Sequence, residues 1–291
     1  MQTLAAAGPN AEQITYWNEL AGPKWVAREA ILDEQIAPLG LAAMERAKVA
    51  TGERALDVGC GCGQTTLELA ARVGPRGAVT GIDISTPMLG RARARAAERG
   101  LTQVAFLNAD AQRAPLGAAA FNLVFSRFGV MFFADPKAAF ANLRASLAPG
   151  GRVFFVCWQE LARNAWMSVP LLAAAQQIAL PAPPAAGAPG PFAFADAARV
   201  RGILEGAGFT GIAIEPLAGE LVVGGSRAPL EQAVETVLQL GPLAAALRET
   251  PADAVARVAA SVRAAIAPYA TPRGVILGYA AWIVSARSGA A

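Results

Sequence analysis

The stretch Leu56-Asp57-Val58-Gly59-Cys60-Gly61-Cys62-Gly63-Gln64 runs a short apolar segment directly into three alternating glycines. Residues Ala55 to Val58 have the composition of a buried strand. After the glycines, Thr65 to Val73 sets Leu67, Leu69, Ala70 and Val73 at helical spacing. A strand that passes through glycines into a helix is a turn that brings backbone against a ligand. Glycine permits positive φ at such a turn and removes the Cβ that would hold the ligand away.

The spacing narrows the ligand. A dinucleotide fingerprint needs G-x-G-x-x-G, with the pyrophosphate received by the glycines and a helix N-terminus. Counted from Gly59 the last glycine position holds Gln64, and counted from Gly61 it holds Thr66. Asp57 also precedes the loop, and a carboxylate there repels pyrophosphate but attracts an ammonium or sulfonium group. A second strand, Ala78 to Ser85, carries Asp83 roughly twenty residues after the loop, where a carboxylate binds ribose hydroxyls. A third, Val104 to Asn108, ends in Ala109-Asp110-Ala111, and a fourth, Phe121 to Ser126, ends in Arg127-Phe128. A helix from about Pro136 to Leu147, closed by Pro149-Gly150-Gly151, precedes the apolar strand Arg152 to Trp158.

Asp57-Val58-Gly59-Cys60-Gly61-Cys62-Gly63, Gly81-Ile82-Asp83-Ile84-Ser85, Asn108-Ala109-Asp110-Ala111 and Leu147-Ala148-Pro149-Gly150-Gly151-Arg152 together resemble a class I S-adenosylmethionine-dependent methyltransferase. The likeness is greatest to the bacterial type 11 small-molecule group, which includes quinone-methylating enzymes. It covers about residues 50 to 158, and more weakly Tyr16-Trp17 and Trp25. The fold it implies is α/β: a Rossmann-like mixed seven-stranded sheet flanked by helices, with helical lid insertions. The implied cofactor is S-adenosylmethionine, leaving S-adenosylhomocysteine as product. By the same resemblance, Gly59, Gly61 and Gly63 lie against the methionine part, and Asp57 orients its amino group directly or through water. Asp83 takes the ribose hydroxyls, Ile84 and Met88 sandwich adenine, Asp110 with the Ala111 backbone reads the adenine amino edge, and the Ser126 carbonyl faces the methionine amine. Met88 is also explicable as a helix core residue.

The 291 residues, 54% hydrophobic, suit one enlarged α/β domain with a lid. The division expected is an N-terminal helical lid segment, 1–48, and a methyltransferase domain, 49–291, with insertions near 161–190 and 226–270. Beyond Trp158 the reading is a helix over Asn164 to Leu180, an extended Pro/Ala/Gly loop over 181–191, and a helix capped by Asp196 and ended by Gly208. A sixth strand over Gly211 to Pro216, helices over Leu230 to Leu240 and Ala252 to Ala267, and a closing strand over Val275 to Ala286 complete it.

A net charge of +3 with mixed signs gives no footprint for nucleic acid. Arg91, Arg95 and Arg99 read as a solvated helix face. The N-terminus lacks a basic region and long apolar segment, and no apolar run reaches transmembrane length, so the expected compartment is cytoplasmic, without stable membrane insertion. Cys60 and Cys62 read as small residues in a tight turn, because no CxxC pair and no histidine accompanies them; no metal is expected. Oligomeric state is open, a homodimer included.

The absence of histidine excludes every His-dependent mechanism. Asp135 and Glu160, just beyond strand ends, are the candidates for a catalytic base, although Asp135 before Pro136 also suits a helix N-cap. Tyr16, Trp17 and Trp25 suit either core packing or a cofactor lid, since aromatic faces attract a cation and exclude water. Phe128, Met131, Phe132 and Phe133 follow the fourth strand, where this fold opens its substrate pocket. With Trp158 and Trp166 they indicate a small apolar or aromatic acceptor. The alternatives are a nucleic-acid methyltransferase, a noncatalytic S-adenosylmethionine-binding protein and an NAD-dependent oxidoreductase. Ser126-Arg127-Phe128-Gly129 stands where amino-methylating nucleic-acid enzymes carry an Asn/Asp-Pro-Pro-Tyr/Phe loop.

Overall fold

Val58, Asp83, Asn108, Arg127 and Trp158 end five neighbouring parallel strands along one edge of a single sheet. These strands are β1 (Arg54–Val58), β2 (Ala78–Asp83), β3 (Val104–Asn108), β4 (Phe121–Arg127) and β5 (Leu147–Trp158). The computed structural model describes residues 4–185 and 187–289. Two long strands extend the sheet in the order β3-β2-β1-β4-β5-β8-β6: β8 (Gly274–Arg287) adds antiparallel to β5, and β6 (Thr210–Val223) adds antiparallel to β8. A two-residue strand, β7 (Ala270–Thr271), pairs with β8, so a mixed seven-stranded path gains a short eighth member. β1 is flanked by β2 on one side and β4 on the other, and this reversal of strand order opens a crevice at the carboxyl ends.

The chain enters through α1 (Ala11–Thr15), a π-helical turn over Tyr16–Leu20, α2 (Ala21–Ala27) and the long α3 (Glu29–Ala47). Crossover helices α4 (Gln64–Val73), α5 (Thr86–Glu98) and α6 (Pro136–Ser146) then cover the sheet. α4 turns Leu67, Leu69, Ala70 and Val73 inward, as their spacing requires. Asp135 caps α6 by accepting the Ala138 N–H at 3.0 Å. Phe140 from α6 is fully buried among Phe133, Phe155, Phe194 and Phe209, tying the helix layer to the sheet.

Two expectations are revised here. Pro149-Gly150-Gly151 lies within β5 rather than before it, and the sixth strand is fourteen residues long rather than the six read from 211–216. The added length of β6 pairs with the added length of β8, from Gly219 against Tyr279 to Val223 against Val275, beyond the end of β5 at Trp158. On this extension sit α7 (Ala165–Ala175), α9 (Leu230–Gln239), α10 (Gly241–Ala246) and α11 (Ala252–Ile266), while α8 (Ala197–Gly206) packs on α6. Val234, Val237, Leu243, Val258, Val262 and Ile266 meet Val223, Val275 and Leu277 in a second hydrophobic cluster. The two insertions thus fold against each other as one helical cap.

Replacing Phe140 by Ala should cost about 3–5 kcal/mol of stability, because it empties the centre of five packed rings. Urea unfolding of the full chain measures this; a loss below about 1 kcal/mol would mean that the cluster does not hold α6 to the sheet.

Candidate ligand-binding site

Gly59, Gly61 and Gly63 all adopt positive φ, at 67°, 56° and 84°. Their reasons differ. A Cβ at Gly59 would lie 2.7 Å from the Cα of Gly129, so this glycine lets the β1 and β4 loops meet backbone to backbone. A Cβ at Gly61 would meet only the flexible end of Met88, at 2.8 Å, and Gly61 lines the cavity. Of the three, Gly61 is therefore the one that leaves open cavity before it, although Gly59 also borders the opening.

The cavity, of about 220 Å³, runs from this loop to the helical cap. Asp83 enters it from the end of β2, with one carboxylate oxygen accepting the Gly61 N–H at 2.8 Å and the other the Ser85 N–H at 2.8 Å. Loss of solvent pushes its carboxyl up, and those two donors oppose the rise. Ile84 and Met88 line the same wall, with Ala111 and Asp110 beyond them. Both oxygens of Asp110 accept from the Asn10 side-chain amide at 2.9 Å, and one also takes the Gln112 N–H. Asn10 is buried, and its own carbonyl accepts the Ala134 N–H at 2.8 Å. The sequence reading missed Asn10, which has no local motif and acts across 100 residues.

Asp57 stands beneath the glycine loop rather than on the cavity wall. It is fully buried, and one oxygen accepts from the Thr65 and Thr66 hydroxyls at 2.7 and 2.6 Å. The other has no hydrogen-bond partner among the described residues. Burial raises its pKa from 3.8 to about 6 despite the two threonines. The Ser126 side chain is likewise internal: its hydroxyl donates to the Val58 carbonyl at 2.7 Å and accepts from the Gly129 and Val130 N–H groups. It fastens the β4 loop to β1 and does not line the cavity. Cys60 and Cys62 are buried free thiols, Cys62 pushed up to about 12 by burial.

The N-terminal aromatics divide. Trp17 and Trp25 line the cavity, and Trp17 meets Phe132 edge to face at 5.3 Å. Tyr16 does not line it; its ring lies 5.2 Å from the Arg248 guanidinium carbon. The segment is held to the core by Asn18, which donates to the Ile84 carbonyl and accepts the Thr86 N–H, each at 2.9 Å.

Phe128, Met131, Phe132, Trp158 and Trp166 line the far half of the cavity. Phe128 adopts a φ of 63°, a conformation that bulky residues avoid, and stacks on Trp158 at 4.0 Å and 12°. The cap contributes Thr236, Val237 and Leu240 to Leu243. Asp135 and Glu160 do not line the cavity; Asp135 is spent on its helix cap, and Glu160 is exposed. The carboxylates that do line it are Asp33, Asp83 and Asp110. Asp33 pairs with Arg95 at 2.8 Å and faces Arg127 at 3.8 Å, while Arg127 also donates to Gln64. Arg91 pairs with Glu29 at 2.7 Å. Arg91 and Arg95 are thus part of an ion-pair network with α3, which corrects their reading as a solvated face.

Residues 55–151 match the family model described as a methyltransferase domain. Aklanonic acid methyltransferase DauC of Streptomyces sp. strain C5 is 38% identical over 122 residues, 42% of this chain and 56% of that one. Demethylmenaquinone methyltransferase of Thermus thermophilus is 44% identical over 101 residues, 35% of this chain and 45% of that one. The chain thus spans about half the length of these curated relatives. Among solved structures, Haemonchus contortus phosphoethanolamine N-methyltransferase 2, in complex with phosphomonomethylethanolamine and S-adenosylhomocysteine, superposes with a TM-score of 0.60 at 19% identity, covering 97% of this chain and 61% of that one. The chain carries a methyltransferase domain of the class I fold. No helix among the described residues is long and apolar enough to cross a membrane.

The raised pKa of Asp57 has a definite sign. The unfolded chain releases this proton near 3.8 and the folded chain near 6, so the native state holds more protons between those values. Its stability then falls as pH rises through that window, and the deficit persists above it. Asp57→Asn should therefore raise the melting temperature at about pH 7.5, with an advantage that shrinks towards about pH 4. A substitution that lowers the melting temperature at neutral pH, or helps equally at both, would contradict this reading.

Proposed function

We propose that the chain transfers a methyl group from S-adenosylmethionine to a small apolar or aromatic acceptor. The observation that carries the reading is the crevice at the β1–β4 reversal, where a glycine cradle, the Asp83 carboxylate and the Asp110 carboxylate follow one another along one wall. The donor set suits the cofactor: Asp83 for ribose hydroxyls, Ile84 and Met88 for the faces of adenine, Asp110 and the Ala111 backbone for its amino edge. Gly61 and the neighbouring loop backbone would receive the methionine part, with Asp57 acting from beneath the loop as a buried negative charge. When bound, S-adenosylmethionine supplies a methyl carbon on a cationic sulfur, which leaves with the bonding electron pair as the acceptor's pair forms the new bond.

The chain's own contribution is to orient and dry the two reactants. Holding partners in near-attack geometry supplies about 7–11 kcal/mol of barrier reduction. The three carboxylates on the cavity wall are each engaged by neighbours, and Asp135 and Glu160 lie off it. This favours an acceptor that needs no strong enzymic base. Relatives named for aklanonic acid and demethylmenaquinone support an organic small-molecule partner rather than nucleic acid. The N-terminal segment and the helical cap are proposed as the lid, because both furnish cavity residues from opposite sides: Trp17 and Trp25 from one, Thr236 and Leu243 from the other.

Calorimetry should find S-adenosylmethionine binding on the order of micromolar. Asp83→Ala should weaken it by about 1.5–3 kcal/mol, the usual cost of a lost charged hydrogen-bond partner. Binding of NADH in place of S-adenosylmethionine would overturn the cofactor. Replacing Trp17 and Trp25 together by Ala should lower cofactor retention while circular dichroism stays unchanged. Full retention would reduce these rings to packing residues.

A further inference from the structure

Two residues that line the cavity carry polar groups that the fold leaves without partners. Gln35 lies on α3 between Leu32 and Ile36, which also line the cavity, and its side chain is buried at 4% exposure. Its amide oxygen has no hydrogen-bond partner among the described residues. Trp166 lines the same cavity, and its indole N–H is buried and equally unpartnered among the described residues. An unmet buried polar group is costly, and neither group is needed to build the elements that carry it. A Leu at either position would suit the surrounding Leu32, Ile36, Met167 and Val223 better.

The position of Trp166 is set with care. Asn164, fully buried two residues earlier, donates to the carbonyls of Gln159, Glu160 and Ala280 at 3.0–3.1 Å and accepts the Ala280 N–H at 3.0 Å. This locks the turn from β5 into α7 and fixes the indole beside Trp158, with ring centroids 5.3 Å apart. Trp158 in turn stacks on Phe128. The wall is therefore a rigid aromatic face bearing one hydrogen-bond donor, and Gln35 adds to the same cavity lining an amide that can accept or donate.

We propose that Gln35 and Trp166 are specificity-determining residues that select a planar aromatic acceptor bearing an oxygen substituent, a phenol or quinol in class, over an unsubstituted hydrocarbon. The inference rests on the methyltransferase reading for the identity of this pocket. The Phe128–Trp158 pair supplies the stacking surface. The indole N–H donates to the ring oxygen, and the Gln35 amide oxygen accepts a hydrogen bond from the hydroxyl. A site built to hydrogen-bond a hydroxyl discriminates strongly against an analogue without one, because its own polar groups are then left unpaired.

The test uses the full chain with S-adenosylhomocysteine and two probes of equal ring size, 2-naphthol and naphthalene, followed by equilibrium dialysis. The wild-type protein should bind 2-naphthol at least about tenfold more tightly than naphthalene. Gln35→Leu and Trp166→Phe should each reduce that preference to about threefold or less, with naphthalene binding maintained or improved. Trp166→Phe keeps an aromatic ring in place, so its effect reads the N–H rather than the loss of a wall. Thermal melting of each variant reports folding, and either variant alone decides the matter if the other fails to fold. A wild-type protein without preference for 2-naphthol, or variants that keep the full preference, would overturn the proposal. Failure of S-adenosylhomocysteine to bind is instead a failure of the methyltransferase reading, and the probe series on the free protein still decides the role of the two residues.

Discussion

The crevice depends on a contact between two glycines. Gly59 after β1 and Gly129 after β4 approach so closely that a Cβ on Gly129 would stand 2.6 Å from the Val58 carbonyl and 2.8 Å from the Gly59 Cα. The Ser126 hydroxyl, bridging Val58 to the backbone of the β4 loop, fixes that approach. With the two loops joined, the cradle at Gly61 turns to one side and Phe128 to the other, held at positive φ by the same turn. One backbone contact thereby sets both halves of the cavity, the polar wall of Asp83 and Asp110 and the aromatic wall of Phe128 and Trp158.

Much of this was legible in the sequence because it is local. The glycine loop, the acids at strand ends and the helix caps at Asp135 and Asp196 all declare themselves within a few residues. What escaped depends on distance along the chain. The long β6 was cut short by Pro216 and Gly219, which end a strand by local rule but here lie on an antiparallel ladder with β8. Asn10 and Asn164 each look like ordinary loop residues until their partners, 100 and 116 positions away, come into reach. Arg91 and Arg95 looked solvated because their acidic partners lie on α3, some sixty residues earlier.

The roles read from resemblance also sort by geometry. Asp83, Ile84, Met88, Asp110 and Ala111 line the cavity together, whereas Asp57, Gly63, Ser126 and Tyr16 lie off it, Gly63 because it packs against Ala92 of α5. Sequence distance cannot separate these groups, since Asp57 is nearer the loop than Asp83 is. Position in the strand can, since Asp57 lies one residue inside the end of β1 whereas Asp83 is the last residue of β2. Asp57 and Val58 are successive residues of β1, so their side chains leave opposite faces of the sheet, and Asp57 points to the face that α4 covers with Thr65 and Thr66.

The ion pairs on α3 bear on the cavity wall through the geometry of the helix itself. At about 100° per residue, Asp33 and Gln35 fall on opposite flanks of the stripe formed by Leu32, Ile36 and Leu39. Asp33 is held by Arg95 and approached by Arg127, and Glu29, one turn earlier, is held by Arg91 and Arg95. Partly buried pairs of this kind add little net stability once desolvation is counted. Here they join one flank of α3 to α5 and to the end of β4. The opposite flank carries Gln35, whose side chain is buried among the cavity-lining residues.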